Sequence, residues 1–196
     1  YTYPDKMPEA QNLIFELEYG NGNLWASSNS AGVLKYDSNT DKFLKLEFED
    51  NSTAIDMKWI NNSLWIGSYF NKFINVNEKG NKCIQKYPSG RQNIYGVKSM
   101  ICDSKNNIWF SSLRGIGKFN ISTKKFSFMD DPENIPYLEL GFKYKICAGK
   151  NNTLMIGQPN GFVVWNEKIF DVHRKVDFLF LDCAHWKVAQ AVIDFH

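Results

Sequence analysis

One short pattern recurs along the 196-residue sequence and constrains the fold more than any other feature. It reads GNLWASSNSAGVLKYD at residues 22–37, NSLWIGSYFNKFINVN at 62–77 and NNIWFSSLRGIGKFN at 106–120. A weaker fourth copy, NNTLMIGQPNGFVVWN, replaces the tryptophan by Met155. The aligned positions, which follow one another at intervals of 40, 44 and 46 residues, are Trp25, Trp65, Trp109 and Met155. Such a period indicates repeated supersecondary units that stack on one another.

Each copy has the same internal order of strand and turn signals. In the first copy, the alternating run LIFELEY precedes the polar turn GNGN, and the aromatic strand LWASS follows the turn. Asn and Gly tolerate the positive φ that two-residue hairpin turns require. A third strand, VLKYD, and a fourth, KFLKLEF, complete the unit. Four short alternating strands joined by such turns predict an antiparallel meander, and a period of about 40–45 residues is that of one propeller blade.

The sequence therefore predicts an all-β fold, a partial or small β-propeller of about four four-stranded antiparallel blades. Residues 13–175 form the repeat region, preceded by an N-terminal extension or remnant strand at 1–12 and followed by a short strand-helix tail at 176–196. The expected blades cover four ranges: 13–50, 54–90, 95–131 and 142–172.

The column of Trp25, Trp65, Trp109 and Met155 is interpreted as packing between blades. One four-stranded sheet cannot bury both of its faces alone, and stacked sheets need large side chains to fill the gap between them. We therefore expect these residues to be core and not a ligand-stacking platform. An open array of such sheets would expose two sheet faces unless a partner, self-association or further blades of the protein covered them.

Composition and charge narrow the class of partner. The chain is 43% hydrophobic and 15% aromatic, which is typical of a globular protein. Because the net charge is only +2, nothing favours nucleic acid or an anionic membrane as a partner. No apolar run approaches the roughly 20 residues that span a bilayer, so we expect no membrane contact within this segment.

The start of the chain and its cysteines give two weaker expectations. The sequence begins with Tyr1 and carries no signal peptide, from which we expect a piece of a longer protein. Cys83, Cys102, Cys147 and Cys183 have no metal-binding spacing and are expected to be buried free thiols. Their disulfide state does not follow from the sequence.

The repeats resemble the two-component regulator propeller repeat, which reads D-x-x-G-N-L-W-I-G-T followed by G-G-L-x-x-Y/F-D. GNGNLWASSNSAGVLKYDSNTDKF and DSKNNIWFSSLRGIGKFNISTKKF follow that pattern closely, and the resemblance covers about 160 of the 196 residues. It implies an extracytoplasmic, periplasmic sensor, because members of this family are input regions of hybrid two-component sensor histidine kinases. They are abundant in Bacteroides and its relatives, and many respond to oligosaccharides.

The tail VDFLFLDCAHWKVAQAVIDFH at 176–196 departs from the repeat. It is interpreted as a buried strand, a turn at Asp182 and a helix with a partly apolar face. Locally it is similar to the D-F-L-F-I-D-x-x-H segment of class I methyltransferases, which would place Asp182 and His185 near a metal or cofactor. No glycine-rich cofactor loop precedes it, so a terminal helix that caps the propeller is favoured. A chain assembled from two coding regions, or read out of frame at its end, is the other alternative.

The repeats contain no catalytic constellation, and neither a cofactor nor a metal site is predicted. His173, His185 and His196 all lie near the end, and the last two are too far apart along a helix to share one ion. Binding residues are instead expected on the loops between second and third strands. An exposed aromatic ring can stack on a sugar, whereas Arg and Gln donate forked hydrogen bonds. The candidate ligand-binding residues are Tyr69, Phe70, Arg114 and Gln158.

Three functions remain open at this point. The first is a ligand-sensing propeller, the input region of a hybrid two-component sensor that recognises an oligosaccharide. The second is a protein-interaction scaffold that binds no small ligand. The third, least favoured, is an enzyme, either a propeller lyase or a methyltransferase inferred from the tail.

Overall fold

The computed structural model describes twelve parts of the chain: residues 13–28, 31–46, 54–68, 72–77, 79, 82–86, 96–112, 115–128, 145–149, 153–158, 161–165 and 170–174. Within them, the regular structure consists of sixteen strands in four antiparallel sheets. The predicted extension at 1–12 and the strand-helix tail at 176–196, with Asp182, Cys183, His185 and His196, lie outside the described residues. Among the residues that are described, none belongs to a helix with the length and hydropathy that a bilayer crossing requires.

Every sheet is a meander whose four strands pair in chain order. Sheet 1 contains β1 (Ile14–Gly20), β2 (Asn23–Ser28), β3 (Gly32–Asp37) and β4 (Lys42–Leu46). Sheet 2 contains β5 (Ala54–Ile60), β6 (Ser63–Ser68), β7 (Lys72–Asn77) and β8 (Lys82–Lys86). Sheet 3 contains β9 (Ser99–Cys102), β10 (Asn107–Ser112), β11 (Gly115–Asn120) and β12 (Lys125–Phe128). Sheet 4 contains β13 (Ile146–Ala148), β14 (Leu154–Gln158), β15 (Gly161–Trp165) and β16 (Phe170–Arg174).

The first hairpins of sheets 1 and 2 are closed by the residues that the sequence predicts for such turns. Asn21 (φ 48°) and Gly22 (φ 72°) connect β1 to β2. Asn61 (φ 49°) and Asn62 (φ 58°) connect β5 to β6. Two successive positive φ angles define a type I′ turn, whose twist matches that of the flanking strands. The predicted role of the polar turns is therefore confirmed for these two turns.

The chain divides into two compact units, and the first consists of residues 1–100 with 112–114. Sheets 1 and 2 lie in this unit, and the core between them is built around Trp25 of β2, which is buried. The Trp25 ring stacks on that of Trp59 in β5, with ring centroids 6.5 Å apart and planes inclined by 17°. The other buried members of the cluster are Val33, Ala54, Met57, Leu64, Ile66, Ile74 and Val76. An aromatic pair of this kind adds about 0.5–1.5 kcal/mol beyond the apolar area that it buries.

A charged cluster links the first strands of the same two sheets. The Lys58 Nζ atom lies 3.1 Å from Glu16 Oε1 and 3.4 Å from Glu18 Oε2. Glu18 also accepts a hydrogen bond of 2.7 Å from the backbone N–H of Trp59. Partial burial disfavours the charged form of Lys58, but Asp56, Glu16 and Glu18 outweigh it and raise the pKa of the ammonium group above its usual value. Lys58 therefore stays charged at neutral pH and fixes β5 against β1.

The second unit consists of residues 101–111 and 115–196, and its described core repeats the arrangement of the first. Trp109 of β10 packs with Ile116 of sheet 3 and with three residues of sheet 4, Ile146, Leu154 and Ile156. A separate aromatic cluster in sheet 3 includes Phe119 and Phe126, whose ring centroids are 4.6 Å apart. Each unit thus has a tryptophan from a second strand between its two sheets.

The expected burial of the cysteines is wrong for the three that the structure describes. Cys83 is exposed, and Cys102 and Cys147 are partly exposed. Cys83 lies on β8, the outermost strand of sheet 2, where a side chain has no further strand beside it. The expectation of burial came from the residue type alone and did not use the position of Cys83 in the fourth strand of its repeat.

The contact between Gly67 and Val97 generates a stability prediction. A Cβ atom at Gly67 would lie 2.5 Å from Val97 Cγ1, closer than packed atoms can approach. Gly67→Ala should therefore lower the free energy of unfolding by about 1–3 kcal/mol, the usual cost of overpacking. Urea denaturation of Gly67→Ala, Val97→Gly and the double variant checks this, because the clash involves Val97 Cβ (2.6 Å) as well as Cγ1, and only removal of the whole side chain should relieve it. Strictly additive losses in the double variant would contradict the proposed contact.

Candidate functional site

The meander topology determines which loops share an end of each sheet. In an antiparallel meander the connection from second to third strand lies at the opposite end from the connections of first to second and third to fourth. We call the ends of β2, β6, β10 and β14, with the loops that follow them, the loop end of each sheet. All four candidate ligand-binding residues belong to this loop end by their position in the chain.

The structure does not describe the side-chain contacts of these four residues. Tyr69 and Phe70, after β6, and Arg114, after β10, lie outside the described residues. Gln158 is the last residue of β14, and its backbone pairs with Gly161 at the start of β15, but its side chain is not described. Their assignment as ligand-binding residues stays a prediction.

The bases of the loops in sheets 1, 2 and 3 contain buried serines that are not among the predicted residues. Ser27, Ser28 and Ser68 are fully or almost fully buried, as are Ser111 and Ser112 of sheet 3. The Ser28 hydroxyl oxygen accepts a hydrogen bond of 3.3 Å from the backbone N–H of Ala31, which lies across the loop. The signal in the sequence is a small polar residue, or a pair, directly after the aromatic strand: ASS, GS and FSS.

Val97, which lies two residues before β9, also contacts the loop base of unit 1. The backbone N–H of Val97 donates a hydrogen bond of 3.2 Å to the Ser68 carbonyl. The Ser27 hydroxyl donates one of 3.4 Å to the carbonyl of Ile55 in sheet 2. Buried hydroxyl groups that are satisfied in this way give the loops a fixed platform.

At the opposite end of sheet 3, one carboxylate organises the turn between β9 and β10. Asp103 Oδ1 accepts hydrogen bonds from the backbone N–H groups of Lys105 (2.9 Å) and Asn107 (2.8 Å). Asp103 Oδ2 accepts from Asn107 Nδ2 and Trp109 Nε1, both at 2.8 Å. Partial burial disfavours the charged carboxylate, but the hydrogen bonds from Asn107, Trp109 and Lys105 outweigh it and lower the pKa of Asp103. Asp103 is therefore ionised at neutral pH.

Next to this turn lies a cleft of about 460 Å³ within unit 2. Residues 102–104 line one side, and Ala148, Gly149, Thr153 and Leu154 line the other. Burial raises the pKa of the Cys102 thiol, and the charge of Asp103 raises it further, so the thiol is protonated at neutral pH and a poor nucleophile. Since both oxygens of Asp103 are already engaged within sheet 3, we interpret this carboxylate as part of the turn.

Among the residues that the structure describes, no three His, Cys, Asp or Glu side chains are grouped so that they could hold a metal ion.

The aligned core residues Trp25, Trp65, Trp109 and Met155 are all buried. Trp25 differs from Trp109 in one respect, because its Nε1 is buried and finds no hydrogen-bond acceptor among the residues that the structure describes. In the first copy the turn between β1 and β2 has only two residues, Asn21 and Gly22, and neither is an aspartate like Asp103 of the third copy. The Trp59 ring fills the space beside Gly20, the residue before this turn.

This contrast predicts unequal costs for one substitution made at two sites. Trp109→Phe removes the hydrogen bond to Asp103, whereas Trp25→Phe removes an N–H group for which the described residues provide no acceptor. We expect Trp109→Phe to lower the free energy of unfolding by about 1 kcal/mol more than Trp25→Phe does, measured by urea denaturation. In an Asp103→Ala background the extra cost should vanish. Equal costs in the wild-type background would contradict the assigned role of Asp103.

The comparisons with known proteins are limited to solved structures, since neither a protein-family model nor a curated protein sequence matches the chain. The extracellular domain of the hybrid two-component system BT4673 from B. thetaiotaomicron matches with a TM-score of 0.62 and 18% identity, over 81% of this chain and 21% of that chain. The extracellular domain of the hybrid two-component system BT3049 from the same organism matches with a TM-score of 0.63 and 17% identity, over 80% and 22%.

A third similar structure has a different origin. Catalytically inactive virginiamycin B lyase from Staphylococcus aureus, solved with quinupristin, matches with a TM-score of 0.65 and 14% identity, over 82% of this chain and 55% of that chain. This chain thus spans about a fifth of the length of the two extracellular domains. At such low identity a structural likeness shows the fold and not the activity. The four meanders are blades, and the chain has the all-β fold of a β-propeller.

Proposed function

We propose that this chain belongs to an extracytoplasmic sensor, the input region of a hybrid two-component system, and that its loop end binds an oligosaccharide. The proposal is supported by two likenesses to sensor proteins, one of sequence and one of fold. The sequence repeats resemble the two-component regulator propeller repeat, and the fold matches extracellular domains of two hybrid two-component systems.

The loop end is the favoured binding surface because its base is rigid and its loops are chemically varied. Buried serines hold the strand ends, as shown by the hydrogen bonds of Ser27 and Ser28. Loops on a rigid scaffold are where binding residues most often lie. Tyr69 and Phe70 would offer aromatic faces to the apolar face of a sugar ring, and Arg114 would donate to hydroxyl or carboxylate oxygens.

Binding is favoured over catalysis by the chemistry of the described residues. Asp103 accepts four hydrogen bonds within its own sheet, and the neighbouring Cys102 thiol has a raised pKa. Neither group has the properties of a general base or an activated nucleophile. A lyase shares this fold, so the argument rests on these residues and not on the architecture.

Isothermal titration calorimetry of the 196-residue chain tests the proposal against purified xylo-, manno-, arabino- and chondroitin-derived oligosaccharides. We expect one class to bind, and we expect Tyr69→Ala and Arg114→Ala each to weaken its affinity by about tenfold, the equivalent of 1.4 kcal/mol. The matched controls are Tyr19→Ala, an exposed tyrosine near the opposite end of sheet 1, and Lys105→Ala, a cation at the opposite end of sheet 3. Both controls should leave the affinity unchanged.

Two outcomes would contradict the proposal. Absence of binding heat for the whole panel, with a folded chain by circular dichroism, would favour a scaffold without a small ligand. Binding that Tyr19→Ala or Lys105→Ala weakens, while Tyr69→Ala and Arg114→Ala do not, would place the ligand away from the loop end.

A further inference from the structure

Acidic residues are unevenly distributed among the connections that join one sheet to the next. Sheet 2 is followed by YPSGRQNIYGVK at residues 87–98, which contains Arg91 and Lys98 and no acidic residue. The equivalent connection after sheet 1, EFEDNST at 47–53, contains three acidic residues, and MDDPENIPYLELGFKY at 129–144, after sheet 3, contains four. The small net charge of the whole chain therefore includes one distinctly basic segment, the one that follows sheet 2.

The backbone places two further lysines at the same end of sheet 2. Lys72, the first residue of β7, pairs in register with Lys86, the last residue of β8. On the other side of β7 lies β6, which ends at Ser68 and accepts the hydrogen bond from Val97 there. Since neighbouring strands are about 4.8 Å apart, the backbone positions of Lys86, Lys72 and Lys98 follow one another along this loop end.

Gathering these cations costs free energy that a bound anion would offset. Like charges at directly opposite positions of antiparallel strands, as at Lys72 and Lys86, are destabilising. Partial burial lowers the pKa of Lys98, because removing water disfavours its charged form. Both effects weaken when an anion lies beside the ammonium groups.

The one acidic residue in β5–β8 is Asp56, and its charge is used within the fold. Asp56 is 2% exposed and accepts hydrogen bonds from the backbone N–H groups of Met57 and Met100. Its Oδ1 atom also lies 3.9 Å from Lys58 Nζ. Because this carboxylate is buried and engaged, it does not make the exposed part of the loop end acidic.

We infer that the loop end of sheet 2 recognises the carboxylate or sulfate groups of an acidic oligosaccharide. The inference rests on the proposed function and narrows its ligand from oligosaccharides in general to those that carry uronate or sulfate. Lys72 and Lys98 are both partly exposed, so a ligand has access to them. Ammonium groups donate charge-assisted hydrogen bonds to such oxygens, and these are stronger than hydrogen bonds between neutral groups. A local excess of positive charge also speeds the association of an anionic ligand.

Isothermal titration calorimetry of the 196-residue chain with three matched probes tests the inference. The probes are a chondroitin sulfate oligosaccharide, the same oligosaccharide after desulfation, and a neutral manno-oligosaccharide of equal length. We expect the sulfated probe to bind at least about tenfold more tightly than the neutral one, and its affinity to fall as NaCl is raised from about 0.05 M to about 0.5 M. Undiminished binding after desulfation would identify the uronate carboxylate as the recognised group, and lost binding would identify the sulfate.

Single substitutions locate the contact. Lys72→Gln and Lys98→Gln should each weaken binding of the acidic probe about tenfold and make its salt dependence shallower. Lys72→Arg, which keeps the charge, should stay within about twofold of the unmodified chain. The matched control is Lys82→Gln, because Lys82 is an exposed lysine at the opposite end of sheet 2. A purely structural role of the lysines would lower the midpoint of urea denaturation and leave the salt dependence of binding unchanged.

Three results would overturn the inference. Binding of the neutral probe at least as tight as that of the acidic probes would do so while leaving the proposed function in place. An equal loss of affinity in Lys82→Gln, Lys72→Gln and Lys98→Gln would show that the acidic ligand is not held at this end of sheet 2. Silence of the folded chain towards every probe, and towards the wider panel above, would overturn the proposed function as well. The probe comparison and the salt dependence use the unmodified chain, so they decide the question even if a variant fails to fold.

Discussion

The structure depends on one recurring contact, an indole ring placed between two neighbouring sheets. A four-stranded meander has two faces and cannot bury both, so its stability comes from the sheets beside it. Trp25 fills the space between sheets 1 and 2, and Trp109 fills the space between sheets 3 and 4. The hydrogen bonds within each meander specify its register, whereas these large side chains specify which sheets are neighbours. The repeated sequence therefore specifies how the sheets stack on one another as well as how the strands pair.

Because the sheets are held together through their faces, the connections at the two ends of each sheet can differ. At one end, short turns are closed by Asn and Gly with positive φ, or by the Asp103 network in sheet 3. At the loop end of sheets 1, 2 and 3, buried serines occupy the strand termini while the sequence of the following loop varies. A constant base beneath variable loops allows related proteins to bind different ligands on one scaffold. This is the physical reason for assigning recognition to the loop end.

Much of the fold follows from the sequence because its signals are local. The hairpin turn at Asn61 and Asn62 needs only the φ preferences of asparagine, and the strands need only alternation. The exposure of Cys83 does not follow from its residue type, because it results from the position of β8 at the edge of sheet 2. Likewise, the stacking of Trp25 on Trp59, which lies 34 residues away in the sequence, is a tertiary contact that local patterns do not specify. The candidate site is predictable only as a set of loops, since chain order places Tyr69 after β6 and Arg114 after β10 but specifies no contact of either side chain.

The most direct test of this account is a double-mutant cycle between the two stacked indoles of unit 1. Trp25→Leu and Trp59→Leu keep an apolar side chain on each sheet while removing the stacked pair. Urea denaturation of both single variants and the double variant should give a coupling energy of about 0.5–1.5 kcal/mol across the two sheets. Additive losses, within about 0.3–0.5 kcal/mol, would show that these sheets are not held together by the contact between Trp25 and Trp59.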